Sequence, residues 1–175
     1  MSTLRVNTIQ EADGTAFPFP QGLGVADQWR MTSNFVSNSS FITSNWERVD
    51  TDGFGQLGAG MTESSGVFTF PSTGIYRIDF QCVGYRGTAG SIRFVNFYIS
   101  STTDNSSFNE SSYGVQNIHS ATDCYCSASM SHQFDVTDVS THKIKFRVEA
   151  ANDIVWVGNS SLFQTGATFT KLGDT

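Results

Sequence analysis

Hydrophobic and polar residues alternate with period two along much of this chain, and that alternation predicts strands. In residues 75–82, Tyr76, Ile78, Phe80 and Cys82 share one face, while Arg77, Asp79 and Gln81 share the other. Residues 66–70 predict the preceding strand, closed by the turn Pro71-Ser72-Thr73-Gly74. In residues 124–134, Cys124, Cys126, Ala128, Met130 and Phe134 form an inward row, opposite Tyr125, Ser127, Ser129, Ser131 and Gln133. Residues 143–149 set Ile144, Phe146 and Val148 inside and leave Lys143, Lys145 and Arg147 as a solvated face; residues 167–172 predict a last strand.

Residues 92–99 break the rule, because both of their faces are largely apolar or aromatic. The outer face of such a strand needs a cover beyond the core, which a subunit interface or an overhanging loop would supply. Ile92, Phe94, Asn96 and Tyr98 are the candidates for an interface of that kind. Short strands at regular spacing, without helical periodicity, heptads or a solenoid repeat, predict an all-β antiparallel sandwich or jelly roll.

Residues 1–27 read differently. Leu4, Val6 and Ile9 make a short extended segment, and Phe17-Pro18-Phe19-Pro20 blocks a regular helix. An extended arm that orders on a partner surface and an unordered tail fit these residues equally well. The expected division is an arm over 1–27 and a single domain over 28–175, with Leu4, Val6, Ile9, Phe17 and Phe19 as the candidate docking residues.

Composition narrows the partners. Only 15 % of residues are charged, and hydroxyl, amide and glycine residues take their place, which suits pleated sheets and not helices. A net charge of −6 without a lysine and arginine cluster argues against nucleic acid. No apolar run approaches the length of a membrane span, and residues 1–7 lack the apolar region of a secretory signal. Folding in a cytoplasm is therefore expected, and three cysteines, an odd number, read as small buried hydrophobes.

Candidate chemistry is sparse. His119, His132 and His142 are the available bases, but no nucleophile elbow accompanies them, so no catalytic residue and no enzyme activity is assigned. Asp50-Thr51-Asp52-Gly53 resembles part of a calcium loop without the remaining ligands, and a capped turn explains it more simply. His119, Cys124, Cys126 and His132 lack the usual zinc spacing. No metal and no cofactor is expected. Phe108 and Tyr113, in the polar stretch 102–113, are candidates for surface recognition of a sugar ring or a protein.

Residues 61–76 resemble the central signature of the complement C1q globular head, through Gly66, Phe68, Thr69, Pro71, Gly74, Tyr76 and Phe80 just beyond. The segments 46–49 and 161–170 resemble the strands that precede and close that head. The resemblance implies a TNF-like jelly roll over residues 28–175 and a homotrimer, with residues 92–99 lining part of the three-fold contact. A collagen-like stalk is lacking. Residues 1–10, the phrase Trp46-Glu47-Arg48-Val49-Asp50 and the ending Lys171-Leu172-Gly173-Asp174-Thr175 are similar to structural proteins of tailed marine bacteriophages. That resemblance implies a virion appendage of tail-fibre or receptor-binding type, made in the host cytoplasm. It would dock on other virion proteins through the arm and contact a host surface glycan or protein. A capsid-decorating protein and a free lectin-like module are the alternatives.

Overall fold

Each predicted alternation lies in a strand of the computed structural model, which describes residues 23–120 and 122–175. The candidate docking residues Leu4, Val6, Ile9, Phe17 and Phe19 lie outside the described residues. The strands are β1 (Ala26–Met31), β2 (Phe35–Phe41), β3 (Trp46–Arg48), β4 (Thr62–Ser64), β5 (Val67–Thr69) and β6 (Gly74–Arg86). They continue with β7 (Ile92–Thr102), β8 (Asn109–Ile118), β9 (Cys124–Val136), β10 (Lys143–Trp156) and β11 (Gly166–Gly173).

Antiparallel pairing arranges them in two layers. Layer I runs β3-β1-β11-β6-β9. In layer II, β10 is central, with β7 and then β8 on one side and β5 and β2 sharing the other; β4 extends β5. An irregularity between Glu149 and Ile154 lets the end of β10 reach across, where Val155 pairs with Tyr85 and Trp156 with Gly84 of β6. The hydrogen-bonded ladder is thereby continuous between the layers. Strands that leave one layer and return in the other, as β6 to β7 and β10 to β11 do, give jelly-roll connectivity.

The inward rows meet as an aromatic core. Phe80 of β6 stacks on Phe146 of β10 with ring centroids 4.4 Å apart. Phe68 of β5 lies edge-on to Trp29 and Trp46 and contacts Phe146 and Phe169 at 5.4 and 5.2 Å. Tyr76, Ile78, Phe80 and Cys82 are all buried, as the alternation requires. Along β9, only Cys126, Phe134 and Val136 are fully buried; Cys124, Ala128 and Met130 are half-buried, because β9 is the edge of its layer.

The segment carrying the C1q-like signature has a clear physical logic. Ser65 and Gly66 both take positive φ, so β4 and β5 join through a two-residue turn with the twist of a hairpin. A Cβ on Gly66 would collide with the Ile42 carbonyl, so the hairpin packs as closely as glycine allows. Downstream, the Tyr76 hydroxyl donates to the Ser72 carbonyl at 3.1 Å, pinning the turn before β6.

The domain begins earlier than the boundary read from the sequence. Ala26 and Asp27 open β1, and Asp27 is 1 % exposed. Its carboxylate accepts from Arg48 Nε at 2.9 Å, Trp29 Nε1 at 2.9 Å and the Met61 backbone N–H at 2.7 Å. Arg30, also buried, donates to Glu47, Thr51 and Asp50 at 2.7, 2.8 and 3.0 Å. The Asp50-Thr51 part of the calcium-like motif is thus held by a guanidinium. These two centres tie β1 to β3 and to the long connection 49–61.

Removing the buried Asp27 carboxylate strands the Trp29 Nε1 and Met61 N–H donors and leaves the half-buried Arg48 guanidinium without its partner. Asp27→Ala is expected to cost about 3–5 kcal/mol, read as a lower urea midpoint at unchanged slope. A loss under about 1 kcal/mol would show that the network does not hold this end of the domain.

Candidate functional site

With two layers packed face to face, function falls to their outer faces and to the loops. The two faces differ sharply in chemistry.

On the outer face of layer I, the rows between β6 and β9 pair Arg77 with Gln133, Asp79 with Ser131, Gln81 with Ser129 and Val83 with Ser127. β11 adds Thr168 and Thr170, and β1 adds Gln28, which donates to Thr168 Oγ1 at 2.9 Å. Arg77 bonds Asp79 at 3.0 Å, and Asp79 accepts in turn from the Ser131 hydroxyl. Gln81 donates to the carbonyls of Phe163 and Gln164, fixing the loop that borders this face. The result is a shallow groove of about 510 Å³ between Gln28, Arg77, Gln81, Ser129, Phe163 and Thr168. At the far end of the face, Tyr85 and Tyr125 pack at 4.5 Å, with the Tyr85 hydroxyl donating to Asp123. One Arg–Asp pair is the only charge in the four rows from Arg77 to Val83 and their β9 partners.

The outer face of layer II is charged and aromatic. Arg147 of β10 lies 4.9 Å from the Tyr98 ring centroid, donates to Glu110 at 2.6 Å and bonds Ser39 at 3.1 Å. The Tyr98 hydroxyl donates to Glu149 at 2.8 Å and accepts from Asn96 at 3.0 Å. Burial, and then the hydrogen bond to Glu149, raise the Tyr98 phenol above its ordinary range. Tyr113 of β8 stacks on Tyr98 at 6.0 Å. Lys145 sits 5.2 Å over Phe41 and 4.4 Å over Phe108.

This geometry corrects several expectations. Ile92 is not on the outer face of β7: the irregularity between Ile92 and Val95 reverses its parity, and it is 1 % exposed in the core. Phe94, Asn96 and Tyr98 do face outward, but Tyr98 is only 7 % exposed and its neighbours are half-buried within this one chain. The cover that β7 demanded comes from Arg147, Glu149 and Tyr113, so the strand gives no reason of its own to invoke a second subunit. Lys143 is not solvated; it is buried, with Nζ donating to the Val139 carbonyl at 2.6 Å. Phe108 is half-buried under Lys145 and beside Phe41, whereas Tyr113 belongs to β8 and stands 65 % exposed.

The histidines do not assemble a site. His119 is exposed after β8, while His132 and His142 both pack against the Phe134 ring, at 5.9 and 5.5 Å. Among the described residues, no group of three or more His, Cys, Asp or Glu side chains is placed to hold a metal ion. Cys126 packs over Gly84, and burial pushes its thiol up to about 11; burial raises Cys82 further, beside Thr165.

No family model matches this chain, and no curated protein matches it in sequence. Solved structures do match its fold. The Eiger TNF of S. frugiperda superposes with a TM-score of 0.68 at 13 % identity, over 88 % of this chain and 96 % of that one. Murine APRIL at pH 5.0 gives 0.60 at 14 % identity, over 85 % and 98 %. Its structure at pH 8.5 gives 0.59 at 15 %, over the same shares. The fold is a TNF-like jelly roll, the architecture that residues 61–76 suggested.

Two outcomes follow for the titratable side chains. At pH 8, a thiol with pKa about 11 holds about one thiolate per thousand, so alkylation of the native protein should label half-buried Cys124 first and Cys126 slowly. Cys82 should label only on unfolding, and equal rates for all three would contradict the packing. Desolvation lowers the His132 pKa from its ordinary 6.5. The neutral ring is the one the fold accommodates, so the unfolded chain binds the extra proton. Stability should fall as pH drops below about 6.5, and His132→Gln should flatten that decline in urea titrations.

Proposed function

We propose that this chain is the subunit of a homotrimeric, non-enzymatic virion appendage of a tailed bacteriophage, of tail-fibre or receptor-binding type. The observation that carries the self-association is the outer face of layer I. It is broad, built of hydroxyl and amide side chains, nearly free of charge, and ends in the Tyr85–Tyr125 pair. Depletion of charge and retention of tyrosine are two features of a protein interface core. The outer face of layer II instead carries the charges of Lys145, Arg147, Glu110 and Glu149. In a trimer built this way, the contact lies on β6, β9 and β11, not on Phe94, Asn96 and Tyr98.

Support for the virion role comes from the sequence: the resemblance of residues 1–10 and 171–175 to phage structural proteins, and the Phe-Pro-Phe-Pro segment preceding the domain. On this reading Leu4, Val6, Ile9, Phe17 and Phe19 dock on other virion proteins. The domain projects, and its free surface contacts the host. The role is adhesive and structural, without a cofactor.

Light scattering after size exclusion tests the assembly. Three copies of the 19.1 kDa subunit should weigh about 57 kDa. Replacing Ser129 and Ser131 with lysine should shift the mass toward 19.1 kDa while leaving the fold intact. A monomer at all concentrations would remove the appendage reading and leave a free binding module. Immunogold labelling of particles separates the positions: gold on the tail supports the fibre, and gold on the shell would make the protein a capsid decoration instead.

A further inference from the structure

The outer face of layer II carries a built aromatic platform. Arg147, Tyr98 and Tyr113 form a stack across three adjacent strands, and only its last member is well exposed. The Arg147 side chain is 22 % exposed and Tyr98 7 %, against 65 % for Tyr113. Tyr113 sits mid-strand, where its pleat position and its neighbour restrain the ring, so it is a fixed surface and not a loop side chain free to fold away. Val115, 55 % exposed and two residues along the same face, widens the apolar shelf.

The electrostatics select the ligand. Arg147 is engaged by Glu110 and Ser39, Glu149 by the Tyr98 hydroxyl, and Lys145 by two phenyl rings. Next to Tyr113, Arg147, Glu110 and Glu149 are thus engaged with one another or with Tyr98, and Lys145 is held over rings, so little free charge is left at the platform itself. What remains is a rigid π-face, negative at its centre, beside carboxylate, amide and hydroxyl groups with lone pairs to share. A pyranose ring matches that combination: its axial C–H bonds carry partial positive charge toward the ring, and its equatorial hydroxyls bridge polar neighbours.

We infer that Tyr113 is the stacking platform of a carbohydrate-binding site that takes neutral pyranosides, with Glu110 and Asn96 at its polar margin. The occupant is a neutral sugar of a host surface polysaccharide. The inference rests on the proposed appendage role for its biological sense, and on the layer I contact to leave this face outward. The binding itself stands on Tyr113.

The test uses the full 175-residue chain, labelled with ¹⁵N. It is titrated with methyl β-D-glucopyranoside, methyl β-D-galactopyranoside and methyl α-D-mannopyranoside, with sorbitol as the acyclic control. At least one pyranoside should bind with Kd on the order of millimolar, moving amide resonances of 96–98 and 110–115, while sorbitol moves none. Tyr113→Ala should weaken binding at least about tenfold, and Tyr113→Phe, which keeps the ring, should stay within about twofold. Tyr113→Phe keeps the stack on Tyr98 and should keep the wild-type melting temperature, whereas Tyr113→Ala removes a cross-strand ring pair and should lower it by only about 1–4 °C. Shifts by sorbitol equal to those by the pyranosides, unchanged binding in Tyr113→Ala, or no shift by any of the three sugars would each overturn the site. A trimer of normal mass that fails this titration overturns the site alone, whereas a monomer that passes it overturns the appendage role and keeps the site.

Discussion

Two apolar faces that cannot be left to water are the constraint from which this domain follows. Each layer has one dry side, and among the described residues there is no helix to cover it, so the layers cover each other. The rings of Phe80 and Phe146 mark where they meet, with Phe68, Trp29, Trp46 and Phe169 grouped around them. Large planar side chains bury much area per residue, which lets a core be built with few leucines. Because the rings come from β1, β3, β5, β6, β10 and β11, the packing also sets which strands can lie opposite one another.

The polar groups drawn into this arrangement are held by local networks. Asp27 and Arg30 sit within a few residues on β1, each buried and each fully bonded. Their effect is to fasten the long irregular connection between β3 and β4, which has little apolar surface of its own. On layer II the same task is done by cations over rings, with Lys145 and Arg147 covering Phe41, Phe108 and Tyr98. The self-covering of β7 and the bareness of layer I's outer face are therefore two sides of one allocation: charge was placed where aromatic surface had to be shielded from solvent.

What could be read in the sequence follows from the reach of each signal. Period-two alternation in 75–82 and 124–134 is a local consequence of pleating, and it located β6 and β9 with their inward rows. The same rule misplaced Ile92, because a one-residue irregularity downstream reverses every face beyond it and leaves no mark in composition. β2, written Phe35-Val36-Ser37-Asn38-Ser39-Ser40-Phe41, has an unbroken polar run of four at its centre and owes its strand to pairing with β10, a partner about a hundred residues away. Lys143 looked solvated because strand alternation says nothing of how the preceding loop 137–142 folds back, and the Val139 carbonyl of that loop receives its ammonium. Tyr113 was visible as a surface aromatic, but its fixed position on a strand, and the stack beneath it, exist only once β7, β8 and β10 lie side by side.

β1 has a mechanical consequence. It is gripped on both edges, by β11 and by β3, and its first residue, Ala26, lies at the pole opposite the loop 87–91. A tether at that end, opposed by an attachment at the other pole, pulls parallel to the strand axis. Two ladders of hydrogen bonds then resist in shear, all rungs together, where a pull across the strand would peel them one at a time. The jelly roll is thus stiffest to a load along the axis of β1, and weakest to one across it.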